Sequence, residues 1–227
     1  MFKLKKDSTR VNILATGGGW ELAPKQSNAM IYCLNDYTKI EKYGVQPDIL
    51  FMMDLLSEKP SIVAGADNLG ETIQRINQMR CPFVAPYKYE EIPLSEAFPL
   101  EDCVKEFGLP YFTNTIGYMI AYALLKGAKE IQLFGVNQAG SHEYVEERGG
   151  VEYWIGIAMG KGVEVTINGK DSQLLKYKGR YNPEGIMYGY GTTFGNFVRE
   201  KKQTGEIIVK RLLTPPKPIS RLVRKIK

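Results

Sequence analysis

One histidine, three cysteines and two tryptophans in 227 residues leave little material for a metal centre. A zinc site draws three or four nitrogen or thiolate ligands from His and Cys. His142 has no second histidine and no nearby cysteine, and Cys33, Cys81 and Cys103 show no CxxC spacing. An odd cysteine count without that spacing points to a reducing compartment rather than a disulfide framework. No apolar run approaches the length of a membrane span, and Met1–Lys6 lacks the apolar segment of a secretory leader. The expectation is a cytoplasmic protein without a transmembrane segment. Several catalytic signatures are missing as well. No GK[ST] follows a glycine loop, no GxSxG surrounds Ser141, and the third position of a GxGxxG begun at Gly17 is Leu22.

The composition, 44 % hydrophobic and 24 % charged, is that of a globular domain large enough for a substantial core. The net charge of +5 is unevenly placed. Beyond Glu206 stand Lys210, Arg211, Lys217, Arg221, Arg224, Lys225 and Lys227 with no acid, and without these seven the remainder is net −2. The body is therefore not a basic nucleic-acid reader. The arm, broken by Pro215, Pro216 and Pro218, suits a polyanion or an acidic partner, or is a solvated extension.

Apolar runs and turn residues alternate along the chain. Val11–Thr16 reads as a strand feeding Gly17-Gly18-Gly19, and Ala29–Leu34 as a second, ending at Asn35-Asp36. A short helix runs to Tyr43, and Ile49–Met53 is a strand ending at Asp54. Gly70–Met79 is a helix and Pro82–Ala85 a strand, while Ile92–Pro110 is irregular. Thr113–Lys126 is a helix opened by small polar residues and closed at Gly127, with Ile116, Met119, Ile120, Ala123 and Leu124 on an apolar face. Ile131–Phe134 is a buried strand ending in Gly135-Val136-Asn137, Val151–Gly160 a helix, and Val163–Ile167 a strand. Such alternation predicts an α/β fold, a doubly wound, mostly parallel Rossmann-like sheet. Three parts follow: a nucleotide-binding domain over 1–170, a Tyr/Gly-rich flap or oligomer contact over 171–209, and a basic tail over 210–227. Lys176–Asn196 carries Tyr177, Tyr181, Tyr188, Tyr190 and Phe194 among five glycines, which excludes a regular core helix.

Ligands of open α/β sheets bind beyond the carboxyl ends of the strands. That rule singles out Gly17, Gly18 and Gly19 as a turn whose N–H groups can cradle an anion. It also singles out Asn35, Asp36, Asp54 and Asn137 as polar strand ends, and Thr113, Asn114 and Thr115 as a helix start facing a ligand. Each has a plainer reading, a structural turn or a helix cap. His142, just past a strand end beside Glu143, Tyr144, Glu146 and Glu147, is placed to act as a general base or is an ordinary surface histidine.

The order GGG, IYCLNDY, GVQPDILFMMD and TNTIGYMIAYALLKGAKEIQLFGVN is similar to two related groups over Val11–Ile167. One is the bacterial sialyltransferases of glycosyltransferase family 42. The other is the 6-hydroxymethylpterin diphosphokinase-like proteins, which include phage members. The first resemblance implies a nucleotide-sugar donor, such as a CMP-linked one, that needs no further cofactor. It places the donor on Gly17–Gly19, Asn35, Asp54 and Thr113–Thr115, and makes His142 the base on the acceptor hydroxyl. Tyr144 is then the candidate for assisting phosphate departure. Asp54 stands where the sialyltransferases carry an asparagine. The second resemblance matches GVQPDILFMMD to a GIxPD segment closed by a carboxylate, and implies Asp36 and Asp54 as ligands of Mg²⁺ with ATP. A third reading is a non-catalytic nucleotide-binding or phage assembly protein.

Overall fold

The computed structural model describes residues 6–35, 44–56, 66, 68–140, 142–176, 197–201 and 207–211. Seven parallel strands form the body of one sheet: β1 (Asp7–Leu14), β2 (Ala29–Leu34), β3 (Ile49–Phe51), β4 (Phe83–Ala85), β5 (Ser95–Ala97), β6 (Glu130–Phe134) and β7 (Glu164–Asn168). Two further strands, β8 (Phe197–Lys201) and β9 (Ile207–Arg211), extend it antiparallel beyond β7. The spatial order is β5-β4-β3-β2-β1-β6-β7-β9-β8. The chain winds outward from β1 to β5, then returns to lay β6 on the other side of β1. That reversal makes the carboxyl ends of β1 and β6 the topological switch point.

The expected α/β, doubly wound and mostly parallel sheet is present. Strands buried on both faces explain the unbroken apolar runs. Val11, Ile13, Ile131, Leu133, Val165 and Ile167 face one core, together with Met119, Ile120, Trp154 and Ile155. Leu14, Ile31, Cys33, Leu50, Phe83 and Phe134 face the other, together with Ile76.

Four α-helices are described: α1 (Leu69–Met79), α2 (Leu100–Phe107), α3 (Thr115–Leu125) and α4 (His142–Gly160). In α1 the Asn68 side chain caps the first turn by accepting from Glu71 N at 3.0 Å. In α3 the Asn114 side chain accepts from Gly117 N at 3.3 Å, so the capping function expected of Thr113–Thr115 falls on Asn114. The one apolar face expected of α3 is too narrow. Ala121 and Tyr122 are buried along with Ile116, Met119, Ile120 and Ala123, because α2 and α4 cover what the sheet does not.

Three other boundaries move. The stretch expected to be irregular, Ile92–Pro110, contains β5 and α2, with Cys103 on the buried face of α2. The late helix begins nine residues before Val151, at His142, and runs straight through Gly149 and Gly150. β9 crosses the 209/210 boundary expected between flap and tail, so Lys210 and Arg211 belong to the sheet. The aromatic residues Tyr177 to Phe194 and the rest of the basic arm, from 212 onward, lie outside the described residues, as do the short helix before Tyr43 and Asp36. Among the described residues no helix is long and apolar enough to cross a membrane.

Candidate functional site

At the switch point lies a cavity of about 420 Å³. Ala15, Thr16 and Gly17 line it from the end of β1, Leu34 and Asn35 from β2, and Asp54 from beyond β3. Gly135 to Ala139 follow β6, Asn114 to Ile116 open α3, and Tyr144 and Glu147 come from the first turns of α4. The structure thus brings together Gly17, Asn35, Asp54, Asn114, Thr115, Asn137 and Tyr144 of the residues singled out by sequence. It adds Thr16, Gln138 and Glu147.

The glycine turn is built differently from an anion cradle. Gly17 N donates to Gly135 O at 2.9 Å, and Gly19 N donates to Glu21 Oε2 at 3.1 Å. The Asn137 carboxamide, oriented to satisfy both bonds, donates to Gly18 O and accepts from Gly18 N, each at 2.8 Å. All three glycine N–H groups therefore have partners within the protein, and a phosphate would have to displace them. The glycines serve close packing instead. A Cβ on Gly17 would collide with the Gly135 carbonyl, and Gly19, at φ 93°, would set one 2.9 Å from Gly169 Cα.

Asn35 Nδ2 donates to Asp54 Oδ2 at 3.4 Å, coupling the ends of β2 and β3 at the cavity wall. On the opposite side of the sequence, Asn114 has two roles: its oxygen caps α3 and its Nδ2 donates to Glu147 Oε2 at 3.1 Å. The helix start leaves the Thr115 and Ile116 N–H groups without intrahelical acceptors, and these carry the positive end of the α3 dipole. Thr113 turns away from the cavity, and its hydroxyl donates to the Glu147 backbone carbonyl.

Gln138 adopts φ 49°, a left-handed conformation rare outside glycine, and is only 8 % exposed. Its Oε1 meets no hydrogen-bond partner among the described residues. A buried carboxamide with an unmet acceptor, in a strained backbone and at a cavity wall, is a recognised mark of a ligand-binding position.

His142 does not line the cavity. It is the first residue of α4, its side chain is 91 % exposed, and its Nδ1 lies 3.1 Å from Glu146 Oε1. At about 100° per residue, Tyr144 and Glu147 share one face of α4, whereas His142 stands roughly 140° around from Glu147. Glu147 lies ahead of the helix that the sequence predicts to begin at Val151. With α4 extended to His142, the i, i+3 spacing of Tyr144 and Glu147 is the signal that finds it.

No Lys, Arg or His appears among the described lining residues, while Asp54 and Glu147 supply two carboxylates. Among the described residues no group of three or more His, Cys, Asp or Glu side chains is arranged to hold a metal ion. The three thiols take no part: burial pushes the Cys33 thiol well above the ordinary range and Cys81 and Cys103 up to about 11. The chain matches no protein-family model, and neither the curated proteins nor the solved structures include a significant match to it.

Proposed function

We propose that the chain binds a nucleotide-linked sugar in the switch-point cavity and transfers the sugar to an acceptor hydroxyl, as the resemblance to glycosyltransferase family 42 implies. The observation that carries this reading is the convergence of Asn35, Asp54, Thr115, Gln138 and Glu147 from five separate segments on one cavity at the carboxyl ends of the strands. Carboxamides, hydroxyls and carboxylates without a described cation suit neutral, hydroxyl-rich groups and base edges better than bare phosphate. The Asn35–Asp54 pair takes ribose or sugar hydroxyls. Gln138 Oε1 takes a donor from base or sugar. The donor phosphate goes to the Thr115 and Ile116 N–H groups rather than to the glycine turn.

A thermal-shift panel of CMP, UDP, ADP and their sugar-linked forms, with and without Mg²⁺, tests the reading. A ligand at 100 times its Kd stabilises by about 2.7 kcal/mol, and a sugar-linked form is expected to exceed its parent nucleotide. A flat panel in both conditions counts against it.

One observation favours a second reading. Two cavity carboxylates near a helix start that would hold phosphate are what Mg²⁺ with ATP needs, and the GVQPDILFMMD resemblance to the diphosphokinase-like group implies this use of Asp54. A shift seen with ATP only when Mg²⁺ is present, and with no sugar-linked form, favours the diphosphokinase.

A further inference from the structure

Gly150 sits inside α4 where a side chain would collide with Thr113: a Cβ there would stand 2.8 Å from Thr113 Cγ2 and 2.9 Å from its Cβ. Without that side chain, α4 closes on the segment leading into α3. The Thr113 hydroxyl then binds the Glu147 backbone carbonyl, and Asn114 Nδ2 binds the Glu147 carboxylate at 3.1 Å. Backbone and side chain of Glu147 are thus both fixed by the residues that open α3. The cost of ordering a flexible glutamate is met before any ligand arrives, which is the preorganisation a positioned base requires. The bond from Asn114 takes one of the roughly four lone-pair directions that a carboxylate offers.

His142 has none of this support. Its side chain is exposed on another side of α4, and among the described residues its ion-pair partner is Glu146.

We propose that Glu147, not His142, is the general base on the acceptor, an assignment that rests on the glycosyl-transfer reading above. In the step it performs, the acceptor hydroxyl proton passes to the Glu147 carboxylate as the hydroxyl oxygen bonds to the anomeric carbon. The bond from that carbon to the donor phosphate oxygen breaks, and its electron pair leaves with the nucleotide. Asn114 is a positioning residue that holds the carboxylate toward the cavity.

The test uses the full chain, with CMP- and UDP-linked sugars as donors and water or lactose as acceptor. Donor Kd is read by calorimetry and nucleotide release is followed against pH. Glu147→Gln is expected to lower turnover by about 100-fold or more, with donor Kd within about twofold and the acid limb of the pH profile gone. Glu147→Asp should keep that limb at reduced rate, and Glu143→Gln should match wild type. Donor binding with full turnover in Glu147→Gln, or a collapse on His142→Ala with Glu147→Gln still active, overturns the base assignment alone. No binding of any sugar-linked nucleotide to wild type overturns the glycosyl-transfer reading and this assignment with it.

Discussion

The side chain of Asn137 closes a two-bond ring with the backbone of Gly18, donating to its carbonyl and accepting from its amide, both at 2.8 Å. The pairing splices the loop after β6 to the turn after β1 in the manner of one more rung of the sheet. It makes Asn137 a structural tie between the two strands of the switch point, where the sequence singles it out as a polar strand end at which ligands bind. Asn137→Asp replaces the donor with a second acceptor facing the Gly18 carbonyl. We expect a loss of about 1–3 kcal/mol in denaturant unfolding, with ligand affinity falling alongside. A variant as stable as wild type would show that the tie does not form.

The glycines of the turn differ in what they tolerate. Gly17→Ala and Gly135→Ala each drive a Cβ into backbone, and Gly135 also sits at φ 68°. Both should destabilise by roughly 1–3 kcal/mol. Gly18 has only side-chain atoms near its Cβ position, one from the Asn137 carboxamide and Asp171 Oδ2, each at 3.3 Å. Gly18→Ala is expected within about 0.5 kcal/mol of wild type, and Gly18→Asp to be worse through its repulsion with Asp171. Thermal melts of the four variants decide the order.

Gly150→Ala pushes α4 away from Thr113 and should lower stability by about 1–3 kcal/mol. Thr113→Gly in the same chain removes the colliding atoms. Partial recovery of stability in the double variant, read by denaturant titration, is the signature of this one contact.

Acid sensitivity has an identifiable source at the other end of the sheet. Burial raises the Glu130 pKa, but the Arg10 guanidinium, with Nε at 2.8 Å, and Gln132 outweigh it, so the carboxyl lies below the ordinary glutamate range. A depressed pKa gives stability that is complete above the unfolded value and lost as pH falls through the folded one. Unfolding free energy should therefore drop below the ordinary glutamate range in wild type. It should drop less steeply in Glu130→Gln, by under about 1 kcal/mol because the pair is partly exposed.

With all three cysteines buried and their thiols raised, a thiol reagent at neutral pH should label native protein slowly and label three groups on unfolding. Rapid labelling of any one in native protein would contradict its placement.

Most of the sheet was legible because its strands are buried on both faces. β2 matches its expected bounds, and β3, β4, β6 and β7 fall within two residues of theirs, since Val, Ile, Leu and Phe leave the alternation rule little to decide. β5 was not legible: Ser95, Glu96 and Ala97 form a strand that, among the described residues, pairs only with β4, and its sequence has no apolar run. The start of α4 was hidden by Gly149-Gly150, whose lack of side chains serves packing against Tyr111 and Thr113 rather than a break. The site followed the same pattern. Strand ends placed Asn35, Asp54 and Asn137 correctly at the rim, because that rule depends on topology alone. Glu147 and the unmet Gln138 acceptor depend on helix phase and backbone strain, which a sequence pattern does not encode.

Calorimetric titration of CMP, UDP and ADP and their sugar-linked forms into wild type and into Thr115→Trp, which fills the cavity at the start of α3, tests whether the switch-point cavity is the nucleotide-sugar site. Saturable binding of at least one sugar-linked nucleotide is expected for wild type, and none for a Thr115→Trp chain whose melting cooperativity is intact. Equal binding by both proteins, or none by wild type, would contradict this expectation.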